Sequence, residues 1–287
     1  MALSTRLIPL LLSGFLLSTL AIAENMVVRY NAPAAAEDQR SNYPLTLLEA
    51  ALQRSGVAFS LEPTEEWLFQ NRAMTEIARG QLLDVIWTMT SDDRESMLRP
   101  IRIPLFKGLI GWRLPLVVQT SEQDLADVDS LSDLQKLVAG QGHDWPDTGI
   151  LLHNGLPVEG VASYSLLFRM LAQRRFDYFP RSILEIWDEA EYHADSGIIV
   201  SPYLAIYYPA AVYFFVSHQN DALYNAIESG LEAMIADGSF DQLFFEWHRE
   251  AIVQATLDQR TIIPLVNPLL PEQTPLERSE LWFNPDR

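Results

Sequence analysis

The sequence predicts an α/β protein of two lobes joined by two crossing strands. Strand-like apolar runs alternate with segments of helical spacing in two successive sets, one over Met26–Trp87 and one over Leu137–Val200. Two long extended runs, Leu109–Val118 and Tyr203–Val216, bracket the second set. A chain that leaves one α/β set and later returns to it crosses twice between lobes. Clefts between lobes are favoured ligand sites.

In chain order, Met26–Tyr30 is a short β-branched strand. Tyr43–Ser55 places Leu45, Leu48 and Leu52 on one helical face, and Gly56 stops it. Val57–Leu61 reads as the second strand, Asn71–Arg79 as a helix closed by Gly80, and Leu82–Trp87 as a third, mostly apolar strand. Leu109–Val118 carries Pro115 within an extended run. In the second set, strands are predicted at Leu137–Gly142, Val158–Ala162, Phe176–Phe179 and Ile198–Val200. Helices are predicted between them at Pro146–His153, Tyr164–Arg174 and Ser182–His193.

Tyr203–Val216 is the most apolar run after the leader. Pro209 and its many aromatic and β-branched residues predict two buried strands with a bend, not a membrane span. Asp221–Gly238 and Phe240–Ala255 are amphipathic helices. From Thr261 onward the prolines at 264, 268, 271, 275 and 285 exclude a helix. Leu265, Leu269, Leu281, Trp282 and Phe283 nevertheless predict a tail that lies against the body.

The first 23 residues predict export. Arg6 supplies one positive charge, Leu7–Leu20 an apolar run, and Ala21-Ile22-Ala23 a small-residue cleavage signature, which together make a secretory signal peptide. The run is short of the ~20 residues that span a bilayer, and a polar, acidic segment follows it. Cleavage before Glu24 takes 23 residues from 287 and leaves an exported chain of 264.

The chain has no cysteine, which removes thiol nucleophiles, Fe–S clusters and Cys-type zinc sites. An exported fold without disulfides rests on its hydrophobic core, and 48% hydrophobic residues supply one. With 38 acidic against 20 basic residues the net charge is −18. No basic face is on offer for nucleic acid or another polyanion, and the acidity serves solubility. Neither G-x-S-x-G nor H-E-x-x-H occurs, and His143, His153, His193, His218 and His248 form no metal spacing. No catalytic residue, metal or cofactor follows from these residues.

Five local motifs give the chain a family likeness. They are Ala78-Arg79-Gly80-Gln81-Leu82-Leu83-Asp84-Val85, Thr90-Ser91-Asp92-Asp93-Arg94-Glu95, Pro104–Leu109, Arg175-Phe176-Asp177, and the run IESGLEAMIADGSF ending at Phe240. In this order they resemble elements of solute-binding family 3, the periplasmic binding proteins of polar amino-acid ABC transporters. The resemblance implies a type II periplasmic-binding fold that closes, as a monomer, on a small polar solute. The first lobe would comprise 24–113 plus 210–287, tail included, and the second 114–209.

The same resemblance implies site residues. The arginine of the motif's turn grips a carboxylate, a task suited to an always-charged, two-pronged guanidinium, and Arg94 is the match. Thr88 and Thr90 lie on its approach. The alternative is a surface pair between Arg94 and Asp92, Asp93 or Glu95. Gln70-Asn71-Arg72 falls at the contact turn before the second helix, where amides and free helix N–H groups can meet a ligand. Trp67, Trp87 and Trp145 are candidate aromatic walls, and the Gly140–Thr148 loop is a candidate ligand edge. The acid that receives an amino group in the family is missing from Asp177–Ser182, and Arg181 stands there instead. Repulsion of an ammonium at that point implies an anionic solute among Arg94, Arg72 and Arg181.

Three functions remain in view. Solute capture for ABC-type uptake would bring a membrane permease as partner. A ligand-sensing receptor would dock on a membrane signalling protein. An exported hydrolase would need an active site that carries none of the motifs sought.

Overall fold

The computed structural model describes residues 25–33 and 41–285, so the predicted leader and its cleavage point lie outside the described residues. The first α/β set runs β1 Met26–Tyr30, α1 Asn42–Ser55, β2 Phe59–Pro63, α2 Gln70–Ala78, β3 Val85–Met89, α3 Asp92–Met97 and β4 Arg99–Ile101. The second runs β5 Trp112–Val118, α4 Leu131–Leu134, β6 Ala139–Gly142, α5 Pro146–His153, β7 Val158–Val161, α6 Tyr164–Ala172, β8 Phe179–Ser182, α7 Ile186–Tyr192, β9 Ile198–Val200 and β10 Leu204–Tyr207. The chain then returns with β11 Val212–Val216, α8 Asp221–Ala236 and α9 Ser239–Ala255, and ends its regular structure with β12 Thr261–Pro264.

Two sheets organise these elements. The first has the order β2-β1-β3-β11-β4, with β11 antiparallel to both β3 and β4. The second has the order β12-β10-β5-β8, with β9 also on β5, and a small parallel pair β6-β7 joins it through the Ala139–Tyr178 bridge. The bend at Pro209 therefore separates two buried strands that belong to different sheets, as the apolar run predicted. The outgoing and returning crossings lie side by side, Trp112 opposite Tyr207 in an antiparallel pair. They are so close that a Cβ on Gly111 would overlap the Tyr208 carbonyl oxygen, which only glycine avoids.

Several predicted boundaries shift, each for a pairing or packing reason. Strand β2 starts two residues late because Met26 pairs with Phe59 and Tyr30 with Pro63. Strand β3 starts at Val85 because Asp84 turns aside to accept bonds from the Arg29 backbone and side chain, all at 2.9 Å. Strand β8 falls at Phe179–Ser182, not Phe176–Phe179, since its ladder with Arg113–Leu116 of β5 fixes the register. That shift carries Arg181 and Ser182 into a sheet. On α1 the buried rows are Tyr43, Leu47, Ala51 and Pro44, Leu48, Leu52, so Leu45, predicted for the core face, lies only half-buried at its margin.

Helices α3 and α4 and strands β4 and β12 escaped the sequence reading. The six residues of α3 have no buried member and so no apolar period to read. β4 and β12 carry Pro100 and Pro264 and stand at sheet edges, where proline is tolerated. Strand β12 also corrects the tail's placement with the first lobe, since Thr261–Pro264 pairs in parallel with Leu204–Tyr207 of the second sheet.

Candidate functional site

A cavity of about 400 Å³ opens between the two sheets' bodies. Asn71 of α2, Thr90 and Ser91 of the β3–α3 turn, and Arg94 of α3 line one side. Asp144 and Pro146, between β6 and α5, line the other, and Leu269 of the tail lies alongside. Both β3 and β6 present their carboxyl ends here, the ligand edge of an open α/β sheet. A larger crevice of about 730 Å³ runs between α7, β9 and α9, but it is lined by Asp188, Glu191 and Glu250 with no arginine or lysine. The smaller cavity holds a guanidinium with no ion pair among the described residues, and we take it as the site.

That charge is Arg94. Its Nη1 donates to the Met89 carbonyl oxygen at 2.5 Å and its Nη2 to Gln70 Oε1 at 2.8 Å, both neutral acceptors. The surface pair with Asp92, Asp93 or Glu95 does not form. Glu95 is engaged instead by Arg102 and by Thr90 Oγ1, the latter at 2.5 Å. Among the described residues no carboxylate pairs with Arg94, and burial lowers its pKa. A half-buried guanidinium held in place by neutral groups, with donors still to satisfy, favours an incoming carboxylate.

The other predicted residues divide. Gln70 positions Arg94, Asn71 and Thr90 line the cavity, and Thr88 is buried in β3. Arg72 is exposed and is not among the cavity's lining residues. Trp67 is 41% exposed and packs edge-on against Phe69. Trp87 packs half-buried on the main core, edge-on to Phe214, which is the common fate of a tryptophan in a strand. Trp145 caps α5 and stacks on Phe179 in the second lobe.

Arg181 is the principal correction. It was expected to face the cleft with a free charge, but it is 6% exposed. Its Nε and Nη2 fork onto Glu189 at 2.8 and 2.7 Å, and Nη2 reaches Glu185 at 3.0 Å. Its guanidinium carbon also sits 5.0 Å from the Trp145 ring centre. Burial opposes the charge, yet Glu185 and Glu189 more than offset it and the pKa is raised. Beside this pair, buried Arg113 meets Asp147 at 2.6 Å, and Asp147 also accepts from the Tyr208 hydroxyl. Two guanidiniums and three carboxylates leave this cluster with a formal charge of −1. The acids that sequence reasoning missed are Glu185 and Glu189. They sit on the turn and helix after β8, outside the Asp177–Ser182 segment, and only the fold brings them to Arg181.

No protein-family model matches the chain, and no curated protein matches it. Solved structures do match. An ancestral arginine-binding protein bound to glutamine superposes with a TM-score of 0.53 at 17% identity, over 77% of this chain and 97% of that one. A periplasmic binding protein of Salmonella typhimurium with high arginine specificity gives 0.52 at 15%, over 77% and 99%. A histidine kinase sensor domain with similarity to periplasmic binding proteins gives 0.52 at 14%, over 78% and 96%. At such identities the likeness establishes the fold. This chain has the two-lobed type II periplasmic-binding-protein fold that its local motifs implied.

Proposed function

We propose that this is an exported solute-binding protein that captures a small carboxylate-bearing solute between its lobes. The observation that carries the reading is Arg94, a half-buried guanidinium with no carboxylate partner among the described residues, in a cavity lined from both sheets' bodies. The lobes are 24–113 with 210–287 and 114–209, except that β12 adds to the second. Binding is the role in this reading, and the binding proteins among the solved structures of the same fold support it.

The solute is a zwitterion in this reading, not the anion expected from the sequence. With Arg181 neutralised by Glu185 and Glu189, and no second-lobe arginine among the residues that line the cavity, the second lobe brings no guanidinium to a second anionic group there. Its buried cluster is net negative, and Asp144 adds a carboxylate on the cavity wall. A carboxylate at Arg94 and an ammonium toward the second lobe satisfy both sides.

Thermal-shift and calorimetric screening of amino acids, organic acids and sugar acids tests this. Amino acids should stabilise the protein and dicarboxylates should not. Stabilisation by dicarboxylates alone, or by nothing in the panel, would overturn the reading.

A ligand-sensing receptor for a membrane partner is the second reading, favoured by the histidine kinase sensor domain of the same fold. Neighbouring genes separate them: a permease and an ATPase support uptake, a sensor kinase supports signalling.

A further inference from the structure

The segment after α9 touches both lobes. At its start β12 extends the second sheet, and the Leu265 N–H continues the ladder by donating to the Tyr207 carbonyl at 2.7 Å. Leu265 is buried in the second core. Val266 exchanges two bonds with the Asn154 side chain, at 2.9 and 2.7 Å, at the end of α5. Asn267 Nδ2 then donates to the Pro209 carbonyl at 2.9 Å, on the returning crossing.

Its far end is fixed to the first lobe. Thr274 and Leu281 are buried, Trp282 packs its ring against Gly108, and Lys107 Nζ donates to the Glu280 carbonyl oxygen. Phe283 N–H donates to the Lys107 carbonyl at 2.7 Å, and Arg278 forks onto Glu232 of α8 at 2.6 and 3.0 Å. The chain thus passes between the bodies four times: through Gly111, through Pro209, after α9, and again over residues 268–273. A tail that served only to cover one core would need anchors on one body alone.

The last passage differs from the others in place. Leu269, 37% exposed, lies in the cavity that also holds Arg94 and Asp144, so this passage runs over the cleft itself. From Asn267 to Thr274 there are seven Cα steps, which reach ~25 Å when fully extended. Pro268 and Pro271 fix two of the intervening φ angles and stiffen the link. Lobes that parted beyond that reach would have to tear out either the β12 ladder or the Leu281 anchor.

We infer that residues 261–283 form a strap across the cleft, which limits how far the lobes open and supplies Leu269 as an apolar wall of the solute site. The wall rests on the proposed solute-binding reading. The limit on opening does not. With the strap in place, the site admits small solutes past a fixed apolar side and excludes those too bulky to fit beneath Leu269.

The absence of cysteine allows a clean measurement. Arg79→Cys and Glu159→Cys, both at exposed positions of opposite lobes, take spin labels. A specific protease site is inserted at the exposed turn between Glu272 and Gln273, so that the chain folds intact and the link is cut afterwards. Pulsed dipolar spectroscopy without added solute should show one narrow distance distribution before cleavage. After cleavage it should broaden and shift outward by several ångström. Asn154→Ala with Asn267→Ala, which loosens the second-lobe anchor of the uncut chain, should move it the same way. Distributions that are already broad, or that do not change on cleavage, would overturn the strap. Stabilisation by L-glutamine in the same samples reports separately on the solute site, so the two readings can fail independently.

Discussion

Replacing Glu189 by leucine would leave the Arg181 guanidinium buried without its forked partner. The pair is 6% and 9% exposed and joined by bonds of 2.7 to 3.0 Å, so solvent cannot take over the lost contacts. Breaking a buried pair from one side costs ~3–5 kcal/mol. Glu185, at 3.0 Å with its side chain one-third exposed, retains part of the attraction and places the loss near the lower figure. A loss of about 3 kcal/mol lowers the melting temperature of a chain this size by roughly 6–12 °C. Arg181→Met alone should cost a similar amount, because among the described residues Glu189 then keeps the Tyr164 hydroxyl alone, at 2.7 Å. The double substitution replaces the pair with apolar groups, and such replacements are often neutral, so it should recover most of the loss. Urea unfolding followed by tryptophan fluorescence gives all four stabilities of the cycle. A Glu189→Leu cost below about 1 kcal/mol, or a double variant equal to the sum of the singles, would refute the buried-pair reasoning.

Other outcomes follow from the same geometry. Arg94→Ala should weaken binding of an amino acid by ~1.5–3 kcal/mol while barely moving the melting temperature, since no carboxylate depends on it; calorimetry and thermal shift on one sample check both. Burial pushes the His248 pKa down to about 4 from an ordinary 6.5, so the unfolded chain takes the proton first. Its contribution is present above pH 6.5 and is lost as pH falls toward 4, roughly 3 kcal/mol in all, and His248→Gln should flatten that part of the urea-midpoint profile. On α8, a Cβ at Gly230 would overlap the Ala51 carbonyl of α1, so Gly230→Ala should cost about 1–3 kcal/mol in denaturant unfolding.

What the sequence determined by itself was whatever local periodicity encodes. The alternation of strands and helices, the two crossings, the bend at Pro209 and the apolar tail lying on the body all follow from spacing, turn residues and apolar runs. Arg94 and Thr90 were legible as candidates because the short Thr90–Glu95 motif carries them, and Asn71 because it falls at the turn before the second helix; the fold brings all three to one cavity. The same local view placed β8 three residues early, since nothing in Phe176–Ser182 says which residues face β5. Register is a property of two strands, and a slip of an odd number of residues exchanges the faces.

Tertiary structure alone decided the charges and the path of the tail. Arg181 looked free because its partners lie on the turn and helix that follow, and only the folded helix turns Glu189 back onto the strand. Arg94 had three flanking acids as alternative partners, yet Arg102 and Thr90 take up Glu95. Whether a charge is available to a ligand depends on every group within a few ångström, and those groups come from distant positions. The strap is legible only in the folded chain for the same reason: its prolines and leucines state that it packs, while which two bodies it joins is settled by the surfaces that happen to lie beside it.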